Sequence, residues 1–262
     1  MKILSNAFIV SVLLISCKKD IKLNLNHSAP QIVIEAIVSD KSTTQTITIT
    51  KSVSFYDSSV YPAVSGAIVA ISDNGNTPVM ATETSGGVYQ IQGMTAVYGH
   101  TYYMSVTIAG TTYTAQSTMP YPVPLYDITF YDNNPAAKPD KKYSPIPKFD
   151  DPVQYQNNYK FVVYDNGLKT TSIMVRNDNV TNGKTNEEPL FTRDFDIISG
   201  DMVTIEMYGI DHPVYQYFFE LSQSNDSGPG GTTPSNPQSN ISGGVLGYFS
   251  AQTYQTKMAQ VP

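Results

Sequence analysis

The sequence predicts a mainly β protein: an N-terminal antiparallel sandwich followed by a second β-rich module that carries one short helix. Three observations lead there. Apolar and polar residues alternate in short runs, turn signals rich in glycine and asparagine separate those runs about every ten residues, and one stretch alone, after Asp211, repeats its apolar residues at helical spacing. At 262 residues, 40% of them hydrophobic, the chain can bury one large core or two modest ones.

The first element is an address. Lys2 gives a charged start, Ile3 to Ile15 is mostly apolar, and the run ends at Ser16 before the single cysteine, Cys17. That layout predicts a secretory signal peptide over residues 1–16, because its apolar middle is shorter than the roughly 20 residues a membrane-spanning helix needs. Leu14-Ile15-Ser16-Cys17 resembles the bacterial lipobox, which implies a diacylglyceryl group on the Cys17 thiol and cleavage before it. The alternative is an ordinary cleaved signal with a cysteine near its end. Several acyl chains would hold the mature chain on a membrane surface far more firmly than one.

Residues 17–30 are polar, asparagine-rich and closed by Pro30, as in a lipidated tether, although Ile21, Leu23 and Leu25 alternate like a first edge strand. Lys18, Lys19 and Asp20 partly match the charged signal that sends some Bacteroidota lipoproteins to the cell surface. Loss of residues 1–16 removes one charge, Lys2, and shifts the formal net charge from −6 to near −7. Such an acidic chain has no electrostatic footprint for nucleic acid. Without a second cysteine it has neither an internal disulfide nor a cysteine metal cluster.

Residues 31–120 supply the predicted sandwich. Gln31 to Val38 reads as a largely buried strand, and Gln45 to Thr50 alternates strictly, with Ile47 and Ile49 inward. Gly66 to Ser72 is a third run, and Asp73-Asn74-Gly75-Asn76 suits a tight hairpin. Val79 to Glu83 returns, Ser85-Gly86-Gly87 turns, and Val88 to Ile91 follows. Tyr102, Met104, Val106 and Ile108 then share one face, Ala109-Gly110 turns, and Thr112 to Ser117 comes back.

Residues 121–262 form the second module, with a proline-rich connector at its start. From 118 to 152 eight prolines break any strand ladder, because proline lacks the amide hydrogen, and Lys138, Lys141 and Lys142 form a small basic cluster. The segment is either a domain boundary or an insertion in one β body, with Val123 to Phe130 available as a strand. Strands are predicted at Tyr159–Tyr164, Thr171–Val175, Leu190–Phe195 and Met202–Met207, with a turn at Asp165-Asn166-Gly167. Asp211 is a good N-cap, Pro213 suits a first turn, and Val214, Tyr217, Phe218 and Leu221 make an apolar stripe that packs on a sheet or docks a partner.

In the tail, Gly243, Gly244 and Gly247 permit close approach or unusual φ, and Val245 onward reads as a closing strand. Asn236 to Gly244 is either a loop near a ligand or a turn into that strand. Pro234-Ser-Asn-Pro237 and Ser239-Asn-Ile-Ser-Gly-Gly-Val-Leu-Gly-Tyr-Phe-Ser-Ala251, with Ile32-Val-Ile-Glu-Ala36, Val64 to Asp73, Gly87-Val-Tyr89, Tyr102-Tyr103 and Ser117-Thr-Met-Pro120, resemble a Bacteroidota lipoprotein family, domain of unknown function 4249. The resemblance spans nearly the whole mature chain. It implies an outer-membrane lipoprotein, commonly accompanied by a TonB-dependent transporter, whose first half is an immunoglobulin- or transthyretin-like sandwich, and it carries over no catalytic residue.

Motifs for chemistry are sparse. His27, His100 and His212 are far apart and lack zinc spacing, and Asp150-Asp151 lacks a calcium-loop run. Ser85-Gly86-Gly87 is no nucleophile elbow, and Gly228-Pro-Gly-Gly231 is no phosphate loop. The reading is therefore no enzyme, no cofactor and no metal. The 19 tyrosines, with no tryptophan, either cover sheet edges or form a recognition surface. Tyr98, Tyr102, Tyr103, Tyr121 and Tyr126, with Asn236 and Asn240, are the candidate partner or ligand surface. The expected role is a noncatalytic accessory of an envelope complex, a TonB-dependent transporter foremost. The alternatives are a surface module that binds glycan or peptide, and a hydrolase with a carboxylate pair brought together only in three dimensions.

Overall fold

In a computed structural model, residues 29–53, 60–136, 141–225 and 235–262 are described. The first half of the chain supplies eight strands: β1 (Ile32–Ser39), β2 (Gln45–Lys51), β3 (Ile68–Asp73), β4 (Val79–Met80), β5 (Thr82–Ser85), β6 (Val88–Ile91), β7 (Thr101–Ile108) and β8 (Thr111–Thr118). The second half adds β9 (Asp127–Asp132), β10 (Tyr143–Lys148), β11 (Asn158–Asp165), β12 (Leu168–Lys169), β13 (Met174–Asn177), β14 (Met202–Ile210), α1 (His212–Asn225) and β15 (Leu246–Gln260). A nine-stranded sheet runs β12-β11-β14-β15-β1-β2-β6-β5, with β13 also on β11; a four-stranded sheet runs β4-β3-β7-β8; and β9 pairs with β10.

Alternation decides which side chains meet. Ile34, Ala36 and Val38 of β1, Ile47 and Ile49 of β2, and Tyr89 of β6 face Val69, Ile71, Met104 and Val106 of the other sheet in one buried core. The first half is thus a β-sandwich, as its alternation requires. A second core lies under the other end of the large sheet, built from Phe161 and Val163 of β11, Val203, Ile205 and Met207 of β14, and Val123, Leu125, Phe149 and Leu190. Helix α1 covers the opposite face there, with Val214 and Tyr215 against Tyr208, Ile210 and Tyr248. Its start is capped as read: the Val214 amide donates to Asp211 Oδ1 at 3.2 Å.

The last strand joins both cores. Leu246 to Gln252 pair in parallel with β1, Val33 opposite Leu246, whereas Thr253 to Gln260 pair antiparallel with β14. Phe249 and Ala251 therefore complete the core of the first half, although they lie near the end of the chain. A division at residue 120 leaves out this contribution. Parallel pairing between the first and last strands has no short turn to announce it. Asp211 ties the halves again, since its Oδ2 accepts from Ser117 Oγ at 2.7 Å and the Thr118 amide at 3.0 Å.

Three sequence expectations change. The segment Leu190 to Phe195 is irregular rather than a strand, although Leu190 is buried in the second core. The single return strand from Val79 to Glu83 is two strands in different sheets: β4 pairs with β3, β5 pairs with β6, and between them the Ala81 amide donates to Val69 O at 2.9 Å. The proline-rich segment also does not break the ladder, because Pro145 and Pro147 lie inside β10, which pairs with β9. The two prolines are two residues apart, so both missing amides fall on the side away from β9. On that side Tyr143 donates to Ile197 O, and the proline carbonyls still accept, Pro145 O from the Leu190 amide and Pro147 O from Asn186 Nδ2.

Three two-residue turns carry positive φ at both positions, at Asn74-Gly75, Ala109-Gly110 and Asn166-Gly167. Asparagine and glycine tolerate this, whereas Ala109 at φ 48° is strained by its Cβ. Ala109→Asn should stabilise the protein by about 0.5–1 kcal/mol, read as a higher urea midpoint at unchanged slope; an unchanged or lower midpoint contradicts the strain.

Candidate functional site

The residues of the predicted surface fall in different places. Tyr102 is fully buried in the sandwich core, its hydroxyl accepting the Val97 amide at 2.7 Å. It cannot belong to a surface, because the alternation that groups it with Met104 and Val106 turns it inward. Tyr98 is partly exposed and donates to Asp40 Oδ2 at 3.1 Å. Tyr103 looks outward from the four-stranded sheet over a shallow hollow of about 450 Å³ shared with Ser72, Met104 and Gln116.

The two asparagines also separate. Asn236 is exposed, whereas Asn240 makes paired bonds along β15: its Nδ2 donates to Phe249 O at 2.7 Å and its Oδ1 accepts the Phe249 amide at 2.9 Å. Ser239 Oγ donates to Gly247 O, Ser242 Oγ accepts the Thr114 amide, and Ile241 is buried. Of the two readings of Asn236 to Gly244, the structure has the turn into the last strand. Cys17, His27, Lys138 and Gly228-Pro-Gly-Gly231 lie outside the described residues.

Tyr121 and Tyr126 are both exposed, and each gains a partner that the sequence reading missed. The Tyr121 ring stacks on Tyr155 at 5.1 Å between centroids, although the two are 51% and 49% exposed. Tyr126 is exposed and donates to Asp150 Oδ1 at 3.2 Å, and Val153 is exposed on the same 150–155 segment. Tyr121 is also wedged against Gly99, where an added Cβ would lie 2.9 Å from the tyrosine oxygen. The result is an exposed aromatic patch where the chain passes from the first core to the second. The predicted basic cluster is neutralised in part, as Lys141 and Lys142 pair with Asp132 and Asp196.

A second constellation lies on the helix-bearing face of the large sheet. Period-two spacing sends Lys160 and Tyr164 of β11, Glu206 and Tyr208 of β14, and Tyr254 of β15 to one side, opposite the apolar residues of the second core. Glu206 accepts from Lys41 Nζ at 2.7 Å and from the hydroxyls of Tyr208 at 2.7 Å, Tyr254 at 3.0 Å and Tyr164 at 3.1 Å. Burial alone would raise its pKa, but these donors outweigh it and hold the carboxyl at about 2. Burial, and then its hydrogen bond to Glu206, push the Tyr208 hydroxyl well upward.

Lys160 stands beside this hub with its ammonium 4.8 Å from the Tyr208 ring centroid and 4.5 Å from that of Phe218. The residue as a whole keeps partial exposure, whereas the ammonium sits deep among protein atoms. Burial, and then the charge of Lys169, lower its pKa to about 8 against the pull of Glu206 and Glu35. The side chain lines a cleft of about 440 Å³ with Val162, Lys169, Thr170 to Met174, Phe218 and Tyr248. Asp194 shapes its rim by accepting from Thr170 Oγ1 at 2.7 Å and the Thr171 amide at 2.6 Å. Sequence reading missed Lys160 and Glu206 because each looks like an outward polar residue on its own strand.

Other ionisable groups have structural partners. His100 Nδ1 lies 2.7 Å from Asp73 Oδ1, and His212 stacks on Tyr215. Asp151 is buried, accepts from the Tyr159 hydroxyl, and has its pKa raised by burial. No curated protein matches the chain. A family model does, over residues 18–258, and by that match the chain belongs to the family described as domain of unknown function (DUF4249).

Proposed function

We propose that this protein is a noncatalytic, lipid-anchored lipoprotein of the outer membrane that docks on an integral partner of the envelope, a TonB-dependent transporter foremost. The observation that carries the reading is the exposed Tyr121–Tyr155 stack, with Tyr126 and Val153 exposed as well. Tyrosines in such a position offer flat apolar faces with polar tips, the chemistry enriched where proteins meet. The stack is also preorganised by its contact with Gly99, so little side-chain freedom is lost on docking. Membrane attachment through Cys17 would keep the patch at high local concentration beside a barrel, and a modest interface would suffice.

The test is co-purification of the tagged full chain from gently solubilised membranes. Wild type should retain a stoichiometric barrel protein, and the double variant Tyr121→Ser, Tyr155→Ser should lose most of it while keeping its thermal midpoint within about 3 °C, because both side chains are half exposed. Equal recovery of the partner by wild type and variant rejects the patch. A chain that carries no acyl mass on Cys17 and washes off membranes in buffer rejects the anchored reading.

A further inference from the structure

We propose that the cleft between α1 and the 169–174 segment binds a small organic carboxylate, with Lys160 and Lys169 facing the carboxylate and Phe218 and Met174 flanking its apolar part. The site is independent of the Tyr121–Tyr155 patch and shares no residue with it.

The first argument is an unmet charge. Neither Lys160 nor Lys169 takes part in any ion pair among the described residues, in a chain of net charge −6. The Lys160 ammonium stands over the ring faces of Tyr208 and Phe218, and no hydrogen bond joins it to an acceptor among the described residues. An ammonium set at the wall of a cleft, reached by water but paired with no carboxylate, gains a charge-assisted hydrogen bond when an anion enters. The charged groups around it are Lys169 on β12, Glu206 on β14 and Glu35 on β1, while α1 contributes Phe218. Glu206 is committed to Lys41 and three tyrosines, so it is not available as a counter-ion.

The second argument is shape and lining. At about 440 Å³ the cleft is in the range of small-molecule sites, and Val162, Ile173, Met174, Phe218 and Tyr248 make most of its wall apolar. A neighbouring hollow of about 460 Å³ shares Thr171 to Met174 and adds Phe191, Arg193 and Ser222, a mostly polar lining along which a longer ligand has room to extend. Two lysines above an apolar wall suit one carboxylate on a flat or aliphatic body. An inorganic phosphate would find few donors here and nothing for the apolar wall to do.

Calorimetry of the purified full chain with sodium benzoate, and with benzamide as its uncharged analogue, tests the proposal. Benzoate should bind one to one, with benzamide weaker by about ten- to hundredfold, the worth of hydrogen bonds to a charged group. Near pH 8 binding should take up protons, seen as heats that change with the ionisation enthalpy of the buffer, because the carboxylate favours the charged ammonium. Lys160→Met, whose thioether can pack between the same rings, should abolish that proton uptake and most of the affinity. Lys169→Gln, on the exposed rim, should weaken benzoate several-fold without disturbing the fold, and it carries the test if Lys160→Met does not fold. Benzoate and benzamide binding alike, benzoate binding equally to wild type and Lys169→Gln, or no heat with benzoate up to its solubility each overturns the proposal.

Discussion

Gly247→Ala should cost about 4 kcal/mol or more and leave much of the protein unfolded or insoluble. Gly247 lies opposite Ile34 where β15 begins its parallel pairing with β1, at φ 95°. A Cβ there would sit 2.0 Å from the Ile34 carbonyl oxygen and 2.7 Å from its carbon. Both are backbone atoms, so no side chain can rotate away, and relief requires β1 and β15 to separate. That separation would open the strand on which both cores depend, a loss in the exceptional range for single substitutions. Gly244→Ala is the matched control: φ is 72° there too, but nothing lies within 4 Å of the added atom. It should cost only the left-handed strain, about 1–2 kcal/mol. Urea midpoints for the two variants check the contrast, and equal losses would show that the approach of Ile34 does not matter.

Glu206→Gln should cost about 2–3 kcal/mol near neutral pH and flatten the acid limb of stability. In the folded protein the carboxyl is held at about 2, below the ordinary 4.5. A carboxyl lowered on folding contributes stability that is fully present above the unfolded pKa and is lost as pH falls through the folded one. Wild type should therefore lose about 3 kcal/mol more than the variant between pH 5 and pH 2. Other carboxyls are also lowered, among them Asp194, so the difference between the two proteins, not the wild-type curve, isolates Glu206. The side chain is 13% exposed, which keeps its hydrogen bonds out of competition with water, whereas Lys41 is 46% exposed and its Coulombic share is screened by salt. Removing Lys41 should accordingly cost less than removing the carboxylate. Denaturant titrations at several pH values decide, and parallel acid limbs would rule out the hub as an acid-sensitive element.

The strands with strict alternation were legible because the period of two is a local property of the backbone. Ile47 and Ile49 are inward as read, Asn74-Gly75 and Asn166-Gly167 turn with the positive φ their residues allow, and Asp211 caps the helix. The tail was legible too, in that Gly243, Gly244 and Gly247 all adopt positive φ. Tyr102 was given both an inward alternation and a place on a surface, and packing accepts the alternation.

What the chain determines alone, then, is which residues of each segment share a face and where the backbone must turn. Only the tertiary structure decided that the last strand lies between β1 and β14, that Pro145 and Pro147 fit a paired strand, and that Lys160, Glu206 and three tyrosines from separate strands meet beneath or beside one helix. Alternation tells each strand its inner face and says nothing about its neighbours. Neighbours are chosen by burial summed over residues distant in sequence, and no local pattern records that sum.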